Sequence, residues 1–161
     1  MKKSSHVSAT PATEWLKKQG VSFEEYVYTY EDHGGTALAA KSFGVDEHMV
    51  IKTLIMEDET GSPIVILMHG DCEVSTKQLA RQVGCKEIHP CTPQQAQRNS
   101  GYMVGGTSPF ATRKNMPVYV QKSILDLPRI FINGGKRGFN IAIASSVLKD
   151  VLKAKEVDCA I

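Results

Sequence analysis

Three stretches of the 161-residue chain could do chemistry. In MVIKTLIM, Lys52 is the one charged residue in a run otherwise apolar but for Thr53. Alternation would put Val50, Lys52, Leu54 and Met56 on one face of a strand. An ammonium there is costly to bury without a partner or water. Lys52 is therefore either a ligand-binding cation or an edge lysine whose stem covers apolar surface. The second stretch is GYMVGGTSPF, residues 101–110. Glycines let a ligand approach main-chain N–H groups closely, and successive N–H groups form anion-binding concavities. Thr107 and Ser108 add hydroxyls, and Pro109 stiffens the exit. The spacing is neither GxxxxGK[ST] nor GxGxxG, and a plain turn explains it equally well at this point. The third is NGGKRG, residues 133–138, which reads as a hairpin turn whose Lys136 and Arg137 could meet phosphates.

Other reactive types are less organised. Tyr26, Tyr28, Tyr30 and Tyr102 could stack on a base, although tyrosines at strand spacing more often belong to a half-buried sheet. The five histidines are scattered, and no serine sits in GxSxG. A hydrolase built on this chain would work through backbone donors, a lysine and the substrate's own groups. Cys85, His89 and Cys91 lie close together in CKEIHPC, but a fourth ligand and a CxxC spacing are missing, so no metal is expected. The four cysteines read as reduced thiols. No cofactor is implied.

Composition sets the frame. With 42% hydrophobic and 22% charged residues the chain is an ordinary globular sequence, of a length that suits one domain over 1–161. No apolar run approaches the roughly 20 residues that cross a bilayer. Lys2 and Lys3 are followed by no apolar stretch of signal-peptide type. The chain reads as cytoplasmic, with no membrane partner. Net charge is only +2, yet it is polarised. Nine acids against two basic residues fill residues 22–60, whereas seven basic residues against Asp126 fill residues 98–138. Both Gly-Gly runs fall in the basic part, which suits a phosphate-bearing ligand or else a solvated face.

These residues need elements to position them. Thr10-Pro11 opens a helix that stops at Gly20. SFEEYVYTYE alternates as a strand with Tyr26, Tyr28 and Tyr30 on one face. A short helix fills residues 35–44. MVIKTLIME and PIVILMH form two strands joined by DETGS. STKQLARQVG and TPQQAQRNSG are helices flanking a short strand at CKEIHP. MPVYVQ is a strand, SILDLP a turn or short helix, and RIFINGGKRGFNIAIA two strands about a glycine turn. SSVLKDVLKAK closes the chain as a helix burying Val147, Leu148, Val151 and Leu152. Many short strands interrupted by helices predict an α+β fold with a mixed, barrel-like β-sheet.

IKTL, GYMVGGTSP and GGKRGFNI, in this order and spacing, resemble the YbaK/EbsC family of trans-editing aminoacyl-tRNA deacylases, relatives of the prolyl-tRNA synthetase editing domain. The resemblance spans nearly the whole chain. It implies a barrel-like sheet packed by helices and hydrolysis of mischarged aminoacyl-tRNA, with tRNA(Pro) among the partners and a synthetase as a further one. It implies a ligand-binding Lys52 followed by Thr53, and a loop opened by Gly101 whose N–H groups meet the ester. It also implies a pocket shaped by Tyr30, Gly105, Gly106, Thr107 and Ser108. Asn133, Gly134, Arg137 and Asn140 fall on the second motif. Cys-tRNA(Pro) deacylases of this family carry other residues at Gly34, Thr107, Phe110, Ala111, Asn133 and Asn140, which leaves Cys, Ala, Ser or Thr open as the amino acid. A catalytically silent module binding tRNA or aminoacyl-adenosine is the alternative reading.

Overall fold

The structure is a computed structural model describing residues 9–161; residues 1–8, with Lys2, Lys3 and His6, lie outside it. Eight strands are present in it: β1 (Glu24–Val27), β2 (Val50–Asp58), β3 (Pro63–His69), β4 (Ile88–Pro90), β5 (Val118–Gln121), β6 (Arg129–Lys136), β7 (Phe139–Ala144) and β8 (Lys155–Val157). Five helices accompany them: α1 (Pro11–Lys18), α2 (Gly35–Phe43), α3 (Thr76–Val83), α4 (Pro93–Ser100) and α5 (Ser146–Asp150).

β3 lies at the heart of the fold, with all seven residues buried. Val65 and Leu67 join one core, while Ile64, Ile66 and Met68 join another on the opposite face. Burial on both faces explains why PIVILMH shows no polar alternation. The strands form one mixed sheet in the order β1-β7-β6-β2-β3-β5-β8, with β4 beside β2. The pairs β2–β6, β3–β5 and β5–β8 are parallel and the rest antiparallel. This bears out the expected α+β class, a mixed sheet packed by helices.

Helix placement divides the two faces unequally. α1, held by a capping box between Thr10 and Thr13, sends Ala12 and Leu16 into the large core. On the other face α2 packs Ala39, Ala40 and Phe43 against Val50, Phe131 and Ala142, and α3 packs Leu79 and Ala80 against Met56 and Ile66. Val50 thus belongs to one cluster and Met56 to the next, and Lys52 stands at the seam between them. The strand edge is also open there. β6 pairs with β2 only at Val50 and Ile51, and β4 only from Met56 to Asp58. Residues 52–55 have no strand partner on that edge, so β6 and β7 splay away from β2 at Lys52.

Three local expectations need correction. The tyrosine strand is cut to Glu24–Val27, because its partner β7 begins at Phe139, opposite Val27. The closing helix ends at Asp150 and only Leu148 of its expected face is fully buried. Lys153 takes a left-handed φ of 64°, and the chain then runs as β8, parallel to β5. Finally, Gly134 and Gly135 do not form the hairpin tip. They sit in a bulge inside β6, between Asn133 and Lys136, and the tip is Arg137-Gly138.

Candidate active site

Where the sheet parts, a cavity of about 570 Å3 opens. Lys52 and Thr53 point to opposite faces of β2, yet both line the cavity because no strand closes that edge. The Lys52 side chain is 22% exposed, and its one ion-pair partner among the described residues is Glu73 at 3.7 Å, itself 82% exposed. Such a loose pair holds the ammonium weakly. The Thr53 hydroxyl is buried and has no hydrogen-bond partner among the described residues. A buried hydroxyl without a partner is costly, and its residue belongs to the cavity wall.

β6 and β7 supply the opposite wall. Asn133 and Asn140 are partners in register and share a face, and both line the cavity. The Asn133 side chain is spent on architecture. Its Oδ1 accepts from the N–H groups of Gly135 at 2.7 Å and Lys136 at 3.1 Å, which holds the bulge. Its Nδ2 donates to the Gly105 carbonyl.

That last bond reveals why the two Gly-Gly runs occur together: the loop of residues 101–110 is docked on the β6–β7 turn. Arg137 Nε donates to the Val104 carbonyl at 2.8 Å, and its guanidinium lies 5.0 Å from the centre of the Tyr30 ring. A Cβ on Gly106 would stand 2.8 Å from the Arg137 nitrogen, so only glycine permits this approach. Gly105 has φ +88°, and a Cβ there would meet the Tyr30 hydroxyl at 2.5 Å. The far end of the loop is anchored in the large core. The Tyr102 hydroxyl donates to the Phe110 carbonyl at 2.6 Å, and Phe110 stacks on Trp15. Burial pushes the Tyr102 phenol up to about 12, so it stays a donor.

Docking fixes the polarity of the loop. The carbonyls of Met103, Val104 and Gly105 accept from Gly106 N–H, Arg137 and Asn133 in turn. The N–H groups of Gly105 and Thr107 bond to no acceptor among the described residues. Both residues line the cavity. The loop therefore carries unclaimed donors on residues that share the cavity wall with Lys52. The N-terminus of α2 adds to this positive character. Gly35 and Thr36 line the cavity, and the helix has no side-chain cap and no acid in its first turn. Asp32 is the single carboxylate on the wall.

Of the residues singled out in the sequence, Tyr30, Lys52, Thr53, Gly105, Thr107, Asn133, Arg137 and Asn140 meet in this one cavity. Gly101, Gly106, Ser108 and Gly134 lie outside its wall. Gly101 caps α4 with φ +82° and spends its N–H on the Gln97 carbonyl, so that N–H is not free for an ester. Ser108 is fully buried and accepts from Phe110 N–H. Gly134 packs under Phe139, and its carbonyl accepts from Thr10. The sequence reading missed Asp32, His33 and Thr36, and Tyr28, singled out only as a stacking tyrosine, also lines the wall. His33 holds φ +64° at the cavity wall, strain of the kind found at functional sites. The polar run DHGG before a helix was its signal. Burial, and then the neighbouring Tyr30, raise the Tyr28 phenol.

A second polar cluster lies at the end of β3. His69, fully buried, stacks on His48 with ring centres 3.6 Å apart and planes within 7°. Its nitrogens bond to the His48 carbonyl and to Ser123, while His48 pairs with Asp71 at 2.9 Å. These side chains converge closely enough to suggest metal ligands. Parallel stacked rings, however, cannot both direct lone pairs at one ion, and both nitrogens of His69 are engaged. In CKEIHPC, by contrast, His89 bonds to Glu57 rather than joining the cysteines.

Comparison with known proteins agrees with this geometry. The model of the aminoacyl-tRNA editing domain family matches residues 31–151. A proposed Cys-tRNA(Pro)/Cys-tRNA(Cys) deacylase of Enterococcus faecalis, EbsC, is 28% identical over 140 residues, covering 86% of this chain and 85% of its own. The crystal structure of the hypothetical protein APE2540 superposes with a TM-score of 0.87 at 22% identity, over 94% of this chain and 100% of that one. That of a proposed trans-editing enzyme for prolyl tRNA synthetase gives 0.81 at 20% identity, over 96% and 99%. With the match extending from the turn before α2 to the end of α5, and so over every wall residue of the cavity but Tyr28 and Tyr30, the chain belongs to the aminoacyl-tRNA editing domain family.

Proposed function

We propose that this protein hydrolyses the ester of mischarged aminoacyl-tRNA in trans, without a metal. The observation that carries the reading is the convergence of Lys52, the unpartnered Thr53 hydroxyl and the free N–H groups of Gly105 and Thr107 on one cavity. Water attacks the ester carbonyl, the acyl C–O bond to the ribose breaks, and the ribose oxygen takes a proton. The free amino acid and the tRNA leave. Negative charge that develops on the carbonyl oxygen is met by the N–H groups of the loop, donors each worth about 2.7–4 kcal/mol in other hydrolases. Lys52 and the N-terminus of α2 hold the phosphate or ribose of the 3′ end and align the ester. Asn140 and Thr107 face the amino acid side chain.

Polar groups on that wall favour a small residue: Cys, Ala, Ser or Thr, carried on tRNA(Pro) among others. The partners are then the acceptor end of tRNA and an aminoacyl-tRNA synthetase, in the cytoplasm where translation occurs. No helix among the described residues is long and apolar enough to cross a membrane. The test is a panel of tRNAs charged with Cys, Ala, Ser, Thr and Pro, with ester loss measured for the wild type and for Lys52→Ala. Loss of at least one ester to the wild type and of none to the variant is expected. Equal rates for the two proteins would overturn the role of Lys52, and binding without turnover would show a silent module.

A further inference from the structure

The loop that borders the cavity is framed by cations on both flanks, of which Arg137 also lines the cavity. At its entry, Arg113 N–H donates to the Ser100 carbonyl and Lys114 N–H to that of Asn99. This holds the backbone of both residues against the last turn of α4, which carries Arg98. The Arg113 side chain runs past Gly101, 3.3 Å from where a Cβ would be. At its middle, Lys136 and Arg137 underlie Gly106 and Val104. All five cations are exposed, and none takes part in an ion pair among the described residues. Four other basic residues are held in ion pairs: Lys52 with Glu73, Arg129 with Glu24, Lys122 with Asp158 and Lys149 with Glu156. Between the two flanks, Met103 and Val104 are 54% and 44% exposed. They are two of the four large apolar side chains exposed in the described chain.

A charged frame around an apolar ridge fits a polymer with anionic links and flat apolar rings. Single-stranded nucleic acid has that chemistry. A duplex buries its ring faces in its own stack and leaves nothing for Met103 and Val104 to cover. A peptide ligand would need a run of acids spaced to reach both flanks. The flanks lie no more than about 11 Å apart along the loop, three residues of chain, which limits the contact to a few nucleotides. The exposed face of the Arg137 guanidinium, turned away from Tyr30, is a further platform for a base.

We propose that residues 98, 113, 114, 136 and 137 carry the phosphates of the single-stranded 3′ end while Met103 and Val104 cover a base next to the ester. This rests on the aminoacyl-tRNA reading above, deepens it by assigning a path, and is tested on RNA that carries no amino acid. Affinity is measured against salt for an uncharged minihelix with a four-nucleotide 3′ overhang and for the same duplex made blunt. The overhang is expected to bind at least tenfold more tightly, with log affinity falling by about 0.7 per contacted phosphate for each log unit of salt. R113E/K114E should weaken overhang binding about tenfold or more and flatten the salt slope by about one unit. K153E/K155E, an equal charge change beside the distant edge strand β8, should leave both unchanged. Equal affinity for blunt and overhanging RNA, or equal losses in the two double variants, would overturn the proposal. If the wild type binds the overhang but cleaves no charged tRNA, the deacylase reading fails and this surface stands. If it cleaves charged tRNA with no dependence on Arg113 and Lys114, the reverse holds.

Discussion

Two polar clusters sit on the same hairpin, and they differ in how completely their hydrogen bonds are satisfied. Around His69 both ring nitrogens are bonded, Ser123 also accepts from Gln121, and the Gln121 carbonyl oxygen accepts from Cys159 and Ala160. One strand away, at Lys52 and Thr53, a hydroxyl goes unbonded and the ammonium has only a loose, exposed partner. Buried polar groups in folded proteins are normally satisfied. The first cluster is thus self-sufficient architecture. The second is incomplete until something enters the cavity.

The contrast can be broken most decisively at Lys52. Lys52→Ala should lower deacylation on the order of a hundredfold or more while leaving the urea midpoint nearly unchanged, since the pair with Glu73 adds little. A large loss of stability would place Lys52 with the architecture instead. Next in size is Gly106→Ala. Its methyl group would collide with the Arg137 backbone, prising the loop from the turn and costing about 1–3 kcal/mol. Activity should fall further than stability, read as a drop in kcat that Lys136 side-chain variants do not reproduce.

Two hydroxyl deletions then give opposite signs. Ser123→Ala strips His69 Nε2 of its partner and should destabilise by about 1–3 kcal/mol with deacylation preserved. Thr53→Val removes a hydroxyl that bonds to nothing in the fold. Stability should hold or rise slightly, and deacylation should fall about two- to tenfold, the worth of one hydrogen bond. Matching stability losses in the two variants would erase the distinction.

The smallest effect is that of pH. Burial, the first cause, lowers the proton affinity of His69 below its ordinary value of 6.5, outweighing the hydrogen bond to the His48 carbonyl, which raises it. Unfolded chains therefore bind more protons in this range. The stability this residue contributes is present above about pH 6.5 and is lost as pH falls through the lowered folded value. Urea midpoints compared at pH 7.5 and 5.5 should show that loss, and His69→Asn should flatten it.

Much of the fold was written in local pattern. PIVILMH declared a strand, and Thr10-Pro11, Ser75 and Thr92 stand where the helices begin. The strand at Lys155–Val157 was not visible, because its three residues have no alternation and exist as a strand only through β5. The site was legible where a residue's type was anomalous in its setting, as with Lys52 among aliphatics. It was misjudged where tertiary docking decides. Gly101 looked like the loop's donor, but helix α4 claims its N–H. The second Gly-Gly looked like a hairpin tip, but Asn133 folds it into a bulge. Asp32 and His33 are unremarkable in sequence and reach the cavity only because α2 begins there.

The contact of Gly106 with the Lys136–Arg137 backbone has a consequence for anyone who would transplant this pocket. Twenty-two residues, 111–132, separate the two segments, yet neither holds its shape alone, since the carbonyls of one are the acceptors of the other. Exchanging the loop among relatives to alter amino acid preference would therefore fail piecemeal. The exchangeable module is discontinuous: residues 101–110 together with 133–138, inherited or grafted as a pair.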